Sequence, residues 1–363
     1  MTLKEPVSSE KTLLLKSAVP GANPAELLEA VRESRVDWNR LYALADRHQM
    51  VGIIAPRFLK TLNGFMPEQT RAQWKNRWRF LAMRDLAQTA ALQEILEAAR
   101  AQDLRPILLK GLAVHLQAYP LETARGASDI DLLVRLQDAP ALIHCLEAAG
   151  FRSLSDWRSH LKRTHEASFH RGQEDVSIDL HWSLCAPAEE YAAGLTLSDS
   201  IRKGTRRLSL GNTSCAIPGR EEELLFLCLH LLKMPPFRLR GLSDLLHLLL
   251  LPPPVDWDRF LSLARKTGTG AAAYYALGMA AQLSEGSVPA QVPAALARRS
   301  GPRWLLSPSL QLERLLDTHG EERSNLSLRW RGVFFAGRAW VWLPYQTALH
   351  GKRLLRQIQA VLR

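Results

Sequence analysis

Behind Pro67, as far as about Gln102, the chain carries no glycine and no proline and is dense in Ala, Leu, Gln, Glu and Arg. These are strong helix formers, so the run predicts one long helix. At Leu104 the texture changes. Residues 105–111 read as an apolar strand that turns, at Lys110-Gly111, into a helix over 112–118 stopped by Tyr119-Pro120. Residues 128–134 read as a second strand, and 139–150 as a helix closed by Gly150. Residues 164–170 and 176–182 read as two strands, joined by Gly172-Gln173-Glu174-Asp175, a composition suited to a hairpin. Strand, helix, strand, helix and hairpin imply an α+β fold: a small mixed β-sheet with covering helices.

Helical regions flank that core on both sides. Val36-Asp37-Trp38-Asn39-Arg40 opens one helix with Asp37 as its N-cap, and Val255-Asp256-Trp257-Asp258-Arg259 repeats the opening 219 residues later. Glu221, Glu222 and Glu223 suit the first turn of a helix that ends at Pro235-Pro236. A second helix covers 239–251, and the Ala/Gly-rich stretch 270–283 suits a close-packed buried one. The expected division is an N-terminal helical region (1–103), a core (104–217), a C-terminal helical region (218–300) and a basic, Trp/Arg-rich tail (301–363).

Composition narrows the function. The formal net charge is +11, which favours an anionic partner. Residues 298–363 hold 12 Lys/Arg against four carboxylates, and four of the ten tryptophans. Such a tail is suited to nucleic acid or an anionic membrane surface, and equally to packing on the main body. Cys145, Cys185, Cys215 and Cys228 form no C-x-x-C pair, which argues against a zinc ribbon and for reduced thiols. No stretch is long and apolar enough to be read as a signal core or a membrane span, so the expected location is cytoplasmic. P-loop and dinucleotide-binding glycine patterns are missing. His165-Glu166-Ala167-Ser168-Phe169-His170 does not fit H-E-x-x-H, because its histidines are five apart on a strand.

The sharpest chemical signal is Asp129-Ile130-Asp131. Strand alternation points both carboxylates to one face and Ile130, Leu132 and Val134 to the core. Two adjacent carboxylates repel unless a cation lies between them, and an acidic pair of this kind suits Mg²⁺. In Val176-Ser177-Ile178-Asp179-Leu180-His181-Trp182 the same alternation turns Asp179 and His181 outward. If the two strands are neighbours, Asp179 becomes a third carboxylate, and three acidic groups can hold two divalent ions for displacement at phosphorus. Lys110-Gly111 opens a helix whose free N–H groups suit phosphate, and Arg125 supplies a second cation near the same edge. Lys233 and Arg240 can reach a phosphate or a base, although Arg240 and Asp244 also fit a plain i,i+4 pair on a solvated face.

Leu109-Lys110-Gly111, Arg125 through Asp129-Ile130-Asp131-Leu132-Leu133-Val134, and Ile178-Asp179-Leu180-His181-Trp182 together resemble the uncharacterised nucleotidyltransferase family of bacteria, within the DNA polymerase β-like nucleotidyltransferase superfamily. The likeness covers about residues 25 to 285, and the V-D-W helix starts belong to it. It implies a nucleotidyltransferase-like core in which Asp129, Asp131 and Asp179 hold Mg²⁺, or Mn²⁺. Lys110, Gly111, Arg125, Lys233 and Arg240 would contact an NTP. The implied reaction is attack by an acceptor hydroxyl on the α-phosphate with release of pyrophosphate. The chain departs from the superfamily pattern in carrying Lys110-Gly111 where Gly-Ser is usual, so a serine hydroxyl is missing from the expected triphosphate contacts. Two other readings accompany this one: a catalytically silent nucleotide-binding or adaptor protein of the same fold, and a nucleotidyl-transferring toxin directed at tRNA.

Overall fold

A computed structural model of the chain describes residues 8–153, 155–161, 164–172, 175–184, 195–233, 238–297 and 316. Four helices come first: α1 (Ser9–Ser17), α2 (Pro24–Arg32), α3 (Trp38–Arg47) and α4 (Val51–Thr61). The long helix α5 (Glu68–Ala101) follows, with Pro67 at its N-cap, as the run of helix formers predicts. Next come β1 (Ile107–Leu109), α6 (Lys110–Ala118), β2 (Ile130–Leu133), α7 (Ala139–Ala148), β3 (Arg152–Ser153) and the short α8 (Trp157–His160). Then follow β4 (Glu166–Arg171), β5 (Val176–His181), α9 (Leu195–Lys203), β6 (Thr205–Leu210) and β7 (Thr213–Pro218). The described part closes with α10 (Arg220–Lys233), α11 (Leu239–Leu249), α12 (Trp257–Thr267), α13 (Gly270–Leu283) and α14 (Gln291–Ala297). The fold is α+β, a mixed sheet with helices before and after it.

The sheet has seven strands in the order β3-β4-β5-β2-β1-β7-β6. It is wider than the sequence reading, which missed β3, β6 and β7. The first is two residues long and leaves no alternation to read. The other two form an antiparallel hairpin around Gly211, whose φ of +62° suits a tight turn. In the middle, β2 lies between β1, antiparallel, and β5, parallel. Parallel pairing requires a crossover, and the chain supplies one through α7, β3, α8 and β4.

Alternation along these strands builds two cores. Leu108, Ile130, Leu132, Ile178 and Leu180 pack against the second half of α5 and against α7. Ile107, Leu109 and Leu133 face the opposite way, into a larger cluster that also holds Leu13 and Leu14 of α1, Leu41 of α3, Leu224 and Leu225 of α10 and Phe260 of α12. The N-terminal and C-terminal helices thus share one apolar mass on one side of the sheet.

The repeated V-D-W openings are built alike. The Asp37 carboxylate accepts from Asn39 N and Arg40 N, and Asp256 accepts from Arg259 N. In each case the backbone N–H of the capping aspartate donates to a buried glutamate two helices earlier: Glu10 at 2.9 Å for Asp37, and Glu221 at 3.1 Å for Asp256. Both glutamates begin the pattern E-x-x-L-L. The two flanking regions therefore repeat a helix-pair device as well as a helix start.

Among the described residues, no helix is long and apolar enough to cross a membrane. Cys145, Cys215 and Cys228 are free thiols, and Cys185 lies outside the described residues. The basic tail, 301–363, also lies outside them except for Leu316.

Candidate functional site

The centre of the site is set by strand register. Asp131 on β2 stands beside Asp179 on β5, and Leu109 on β1 stands beside Asp131 on the other side. Side chains of paired residues share a face, so Asp131 and Asp179 emerge together where β1 hands over to α6. Asp129 sits one residue before β2, a small correction to the strand expected from residue 128. Ligand atoms of Asp131, Asp179 and His181 all lie within 4.8 Å of one another.

Each carboxylate has a different environment. Asp131 is 2% exposed, and its Oδ1 receives Lys110 Nζ at 2.7 Å and His181 Nε2 at 2.9 Å. Burial alone would raise its pKa, but the two cations hold the carboxyl far below the usual carboxylate range. Asp129 is pushed the other way, up to about 6, by burial and by the charges of Asp131 and Asp179. Ser128 Oγ donates to its Oδ1 at 3.0 Å. Asp179 accepts from Ser168 Oγ, its cross-strand neighbour, at 2.6 Å.

Lys110 departs from ordinary backbone geometry. Its φ is +44°, the left-handed region that glycine adopts freely and an L side chain adopts at a cost. Its ammonium is partly buried between Asp131 and the Phe226 ring, whose centroid is 5.7 Å away. Burial works against the charge, but Asp131 outweighs it and keeps the group protonated above its usual range. Helix α6 begins at Lys110, two residues earlier than the sequence suggests.

Gly111 and Arg125 meet at the start of α6. A Cβ on Gly111 would stand 3.2 Å from Arg125 Nη1, so the missing side chain leaves room for this guanidinium. Arg125 is not free to swing: Nε and Nη2 donate to the two oxygens of buried Asp244 at 2.8 and 2.6 Å. Tyr119 Oη donates to the same carboxylate at 2.9 Å. The expected Arg240–Asp244 pair on a solvated face is thus corrected. Asp244 is buried and belongs to Arg125, while Arg240 Nη1 donates to the Gly126 carbonyl at 2.6 Å. Arg125 Nη1 is buried with no hydrogen-bond partner among the described residues. Lys233 ends α10, and its side chain lies outside the described residues.

Long-range contacts hold the segment that delivers Asp129. Asp85 of α5 accepts from Gly126 N and Ala127 N at 3.0 and 3.1 Å. Gln88 donates to Ala127 O and Arg84 to Ser128 O, at 3.1 and 2.7 Å. Sequence reasoning missed these residues. It also gave Ser168 no role, met Glu166 only in the comparison with H-E-x-x-H, and turned His181 outward without naming a partner for it. His181 is 4% exposed. Burial disfavours its charge, but Asp131 and Glu166 outweigh that and raise its pKa to about 9. Trp182 is buried at the strand end, donating from Nε1 to Thr164 O at 2.9 Å, and anchors that end of β5 in the core.

The arrangement is an acidic centre of Asp129, Asp131 and Asp179, with Lys110 inside it and a helix start beside it. Its donor set suits a hard divalent cation. The fit test is geometric: ligand atoms of Asp131 and Asp179 lie within 4.8 Å of each other on one face, and their charges add to burial in holding the Asp129 carboxyl up, a repulsion that a cation among them relieves.

Compared with known families, residues 34–285 match the model of a family described as an uncharacterised nucleotidyltransferase, and the match spans more than half of the chain. No curated protein and no solved structure matches.

Proposed function

The chain belongs to the uncharacterised nucleotidyltransferase family, and on that footing we propose a Mg²⁺-dependent enzyme that moves a nucleoside monophosphate from an NTP to an acceptor hydroxyl. The observation that carries the reading is the register pair Asp131 and Asp179, with the raised carboxyl of Asp129 beside them. Asp129, Asp131 and Asp179 would hold Mg²⁺, or Mn²⁺, which when bound supplies charge neutralisation at the phosphates.

The chain's own groups do the rest. Asp179, fixed by Ser168, takes the proton of the acceptor hydroxyl as its oxygen attacks the α-phosphorus. The bond from the α-phosphorus to the bridging oxygen of the β-phosphate breaks, and pyrophosphate leaves. Free N–H groups at the start of α6 receive phosphate oxygens, and Arg125 Nη1 and Lys110 add positive charge on that side. Arg240 acts through the Gly126 carbonyl, as a positioning residue for the segment leading to Asp129. Lys233 remains a candidate phosphate contact. The net charge of +11 supports an anionic partner, with the basic tail reaching nucleic acid or an anionic membrane surface.

One observation favours the silent nucleotide-binding or adaptor reading: two resident cations, Lys110 and His181, already engage Asp131 Oδ1. The test is incubation with each α-labelled NTP, Mg²⁺ and a cell extract. Label on an acceptor, lost by at least about 100-fold in Asp131→Asn, supports transfer. Label transferred undiminished by Asp131→Asn refutes the assignment. NTP binding without pyrophosphate release favours the silent reading, and label on tRNA with steep salt dependence favours the toxin-like one.

A further inference from the structure

His165, Glu166 and His181 converge at the end of the β4–β5 hairpin. Glu166 stands directly across from His181 in the register, and His165 immediately precedes β4. Glu166 Oε2 lies 3.0 Å from His181 Nδ1 and 3.3 Å from His165 Nε2. One ligand atom from each of the three falls within 4.8 Å of the others. In a tetrahedral site with bonds of about 2.0–2.1 Å, neighbouring ligand atoms are about 3.3 Å apart. The cluster already has close to that spacing along two edges.

The donor set differs from that of the acidic centre. Two imidazoles and one carboxylate suit Zn²⁺ and its transition-metal neighbours, whereas carboxylates with water suit Mg²⁺. The other nitrogen of His181 is used as a metal-binding histidine uses it: Nε2 faces Asp131 Oδ1 at 2.9 Å, and a carboxylate there fixes the tautomer and the ring orientation. The side chains of His165 and Glu166 are 21% and 38% exposed, which leaves a way in for an ion. The linear motif pairs His165 with His170, but His170 lies four residues along the strand from Glu166, about 13 Å away, and contacts Ser177 Oγ. Strand pairing supplies His181 in its stead.

We propose that His165, Glu166 and His181 form a transition-metal site, with Zn²⁺ as the fitting ion, separate from the acidic centre and joined to it through the two ring nitrogens of His181. Three protein ligands leave a fourth position for water or a ligand atom. An ion there would take the place of the proton that His181 Nδ1 shares with Glu166, releasing it to solvent, and would fix His181 and, through Nε2, the orientation of Asp131. The site does not depend on the transfer reaction, so the two proposals fail separately.

The test uses the full chain in excess Mg²⁺, titrated with Zn²⁺ against a chromophoric chelator, and with Co²⁺ as a visible-absorption probe. One tightly bound ion per chain and an intense tetrahedral Co²⁺ spectrum are expected. His165→Ala and Glu166→Gln should each weaken binding by more than about 100-fold, since even changes to groups behind a ligand cost about 10–100-fold. Asp129→Asn should leave the affinity unchanged. Thermal melting of each variant by circular dichroism checks its fold, and the Co²⁺ spectrum of the unaltered chain needs no variant. Absence of Zn²⁺ binding, an octahedral Co²⁺ spectrum, affinity unaffected by His165→Ala, or affinity abolished by Asp129→Asn would each overturn the proposal.

Discussion

Replacing Lys110 separates two opposed energies that meet in one residue. Its ammonium lies 2.7 Å from a carboxylate whose side chain is 3% exposed, and removing one partner of such a buried pair costs about 3–5 kcal/mol. His181 stays on the same oxygen, so Lys110→Met belongs at the lower end, about 3 kcal/mol. The backbone at Lys110 adds a second term. Its φ of +44° costs an L residue about 1–2 kcal/mol, which Met retains and Gly removes. Lys110→Gly should therefore be destabilised by only about 1–2 kcal/mol, the difference of the two terms. The order expected from urea midpoints followed by tryptophan fluorescence is wild type, then Lys110→Gly, then Lys110→Met. Added Mg²⁺ should raise both variants more than the wild type, because a cation in the acidic centre replaces the lost ammonium. A Met variant as stable as the wild type, or a Gly variant below the Met variant, would refute this reasoning.

Three other outcomes follow from named contacts. Glu223 is 1% exposed and pushed up to about 7, by burial acting against the pull of Arg206. The folded form keeps a proton that the unfolded chain sheds near pH 4.5, so this contribution to stability is full below about 4.5 and lost as pH rises through about 7, on the order of 3 kcal/mol. Melting temperature against pH should show that decline, and Glu223→Gln should flatten it. Asp244→Asn strands the buried guanidinium of Arg125 and should cost about 3–5 kcal/mol, read as a lowered urea midpoint; an unchanged midpoint would exclude the pair as a structural tie. Gly52→Ala drives a methyl group into the Ala124 carbonyl, which leads toward Arg125, and should cost about 3 kcal/mol, visible as a lower melting temperature.

The acidic centre was legible because its signal is local. Asp-x-Asp and Ile-Asp-Leu-His each sit on alternating apolar frames, and alternation alone fixes which way the side chains point. What surrounds the carboxylates was not legible, because it is set by contacts across long stretches of chain. Nothing in α5 distinguishes Asp85 from its charged neighbours, yet it holds Gly126 and Ala127, 41 and 42 residues away. The i,i+4 rule offered Arg240 to Asp244, and burial gave that carboxylate to Arg125. Lys110 was recognised as a cation at a strand–helix joint, but its left-handed backbone shows only in three dimensions. The V-D-W echo was visible as a helix start. Its other half, E-x-x-L-L at Glu10 and Glu221, acquires meaning only through the hydrogen bonds to Asp37 and Asp256.

The apolar mass shared by both flanking regions has a practical consequence for anyone dissecting the molecule. Cutting out the strands alone would strip the cover from Ile107, Leu109 and Leu133, and an expressed fragment would present that surface to solvent or to its own copies. Sequence remote from the carboxylates, such as Leu13 in the first helix and Phe260 well beyond the sheet, is therefore part of what keeps the reacting groups in register.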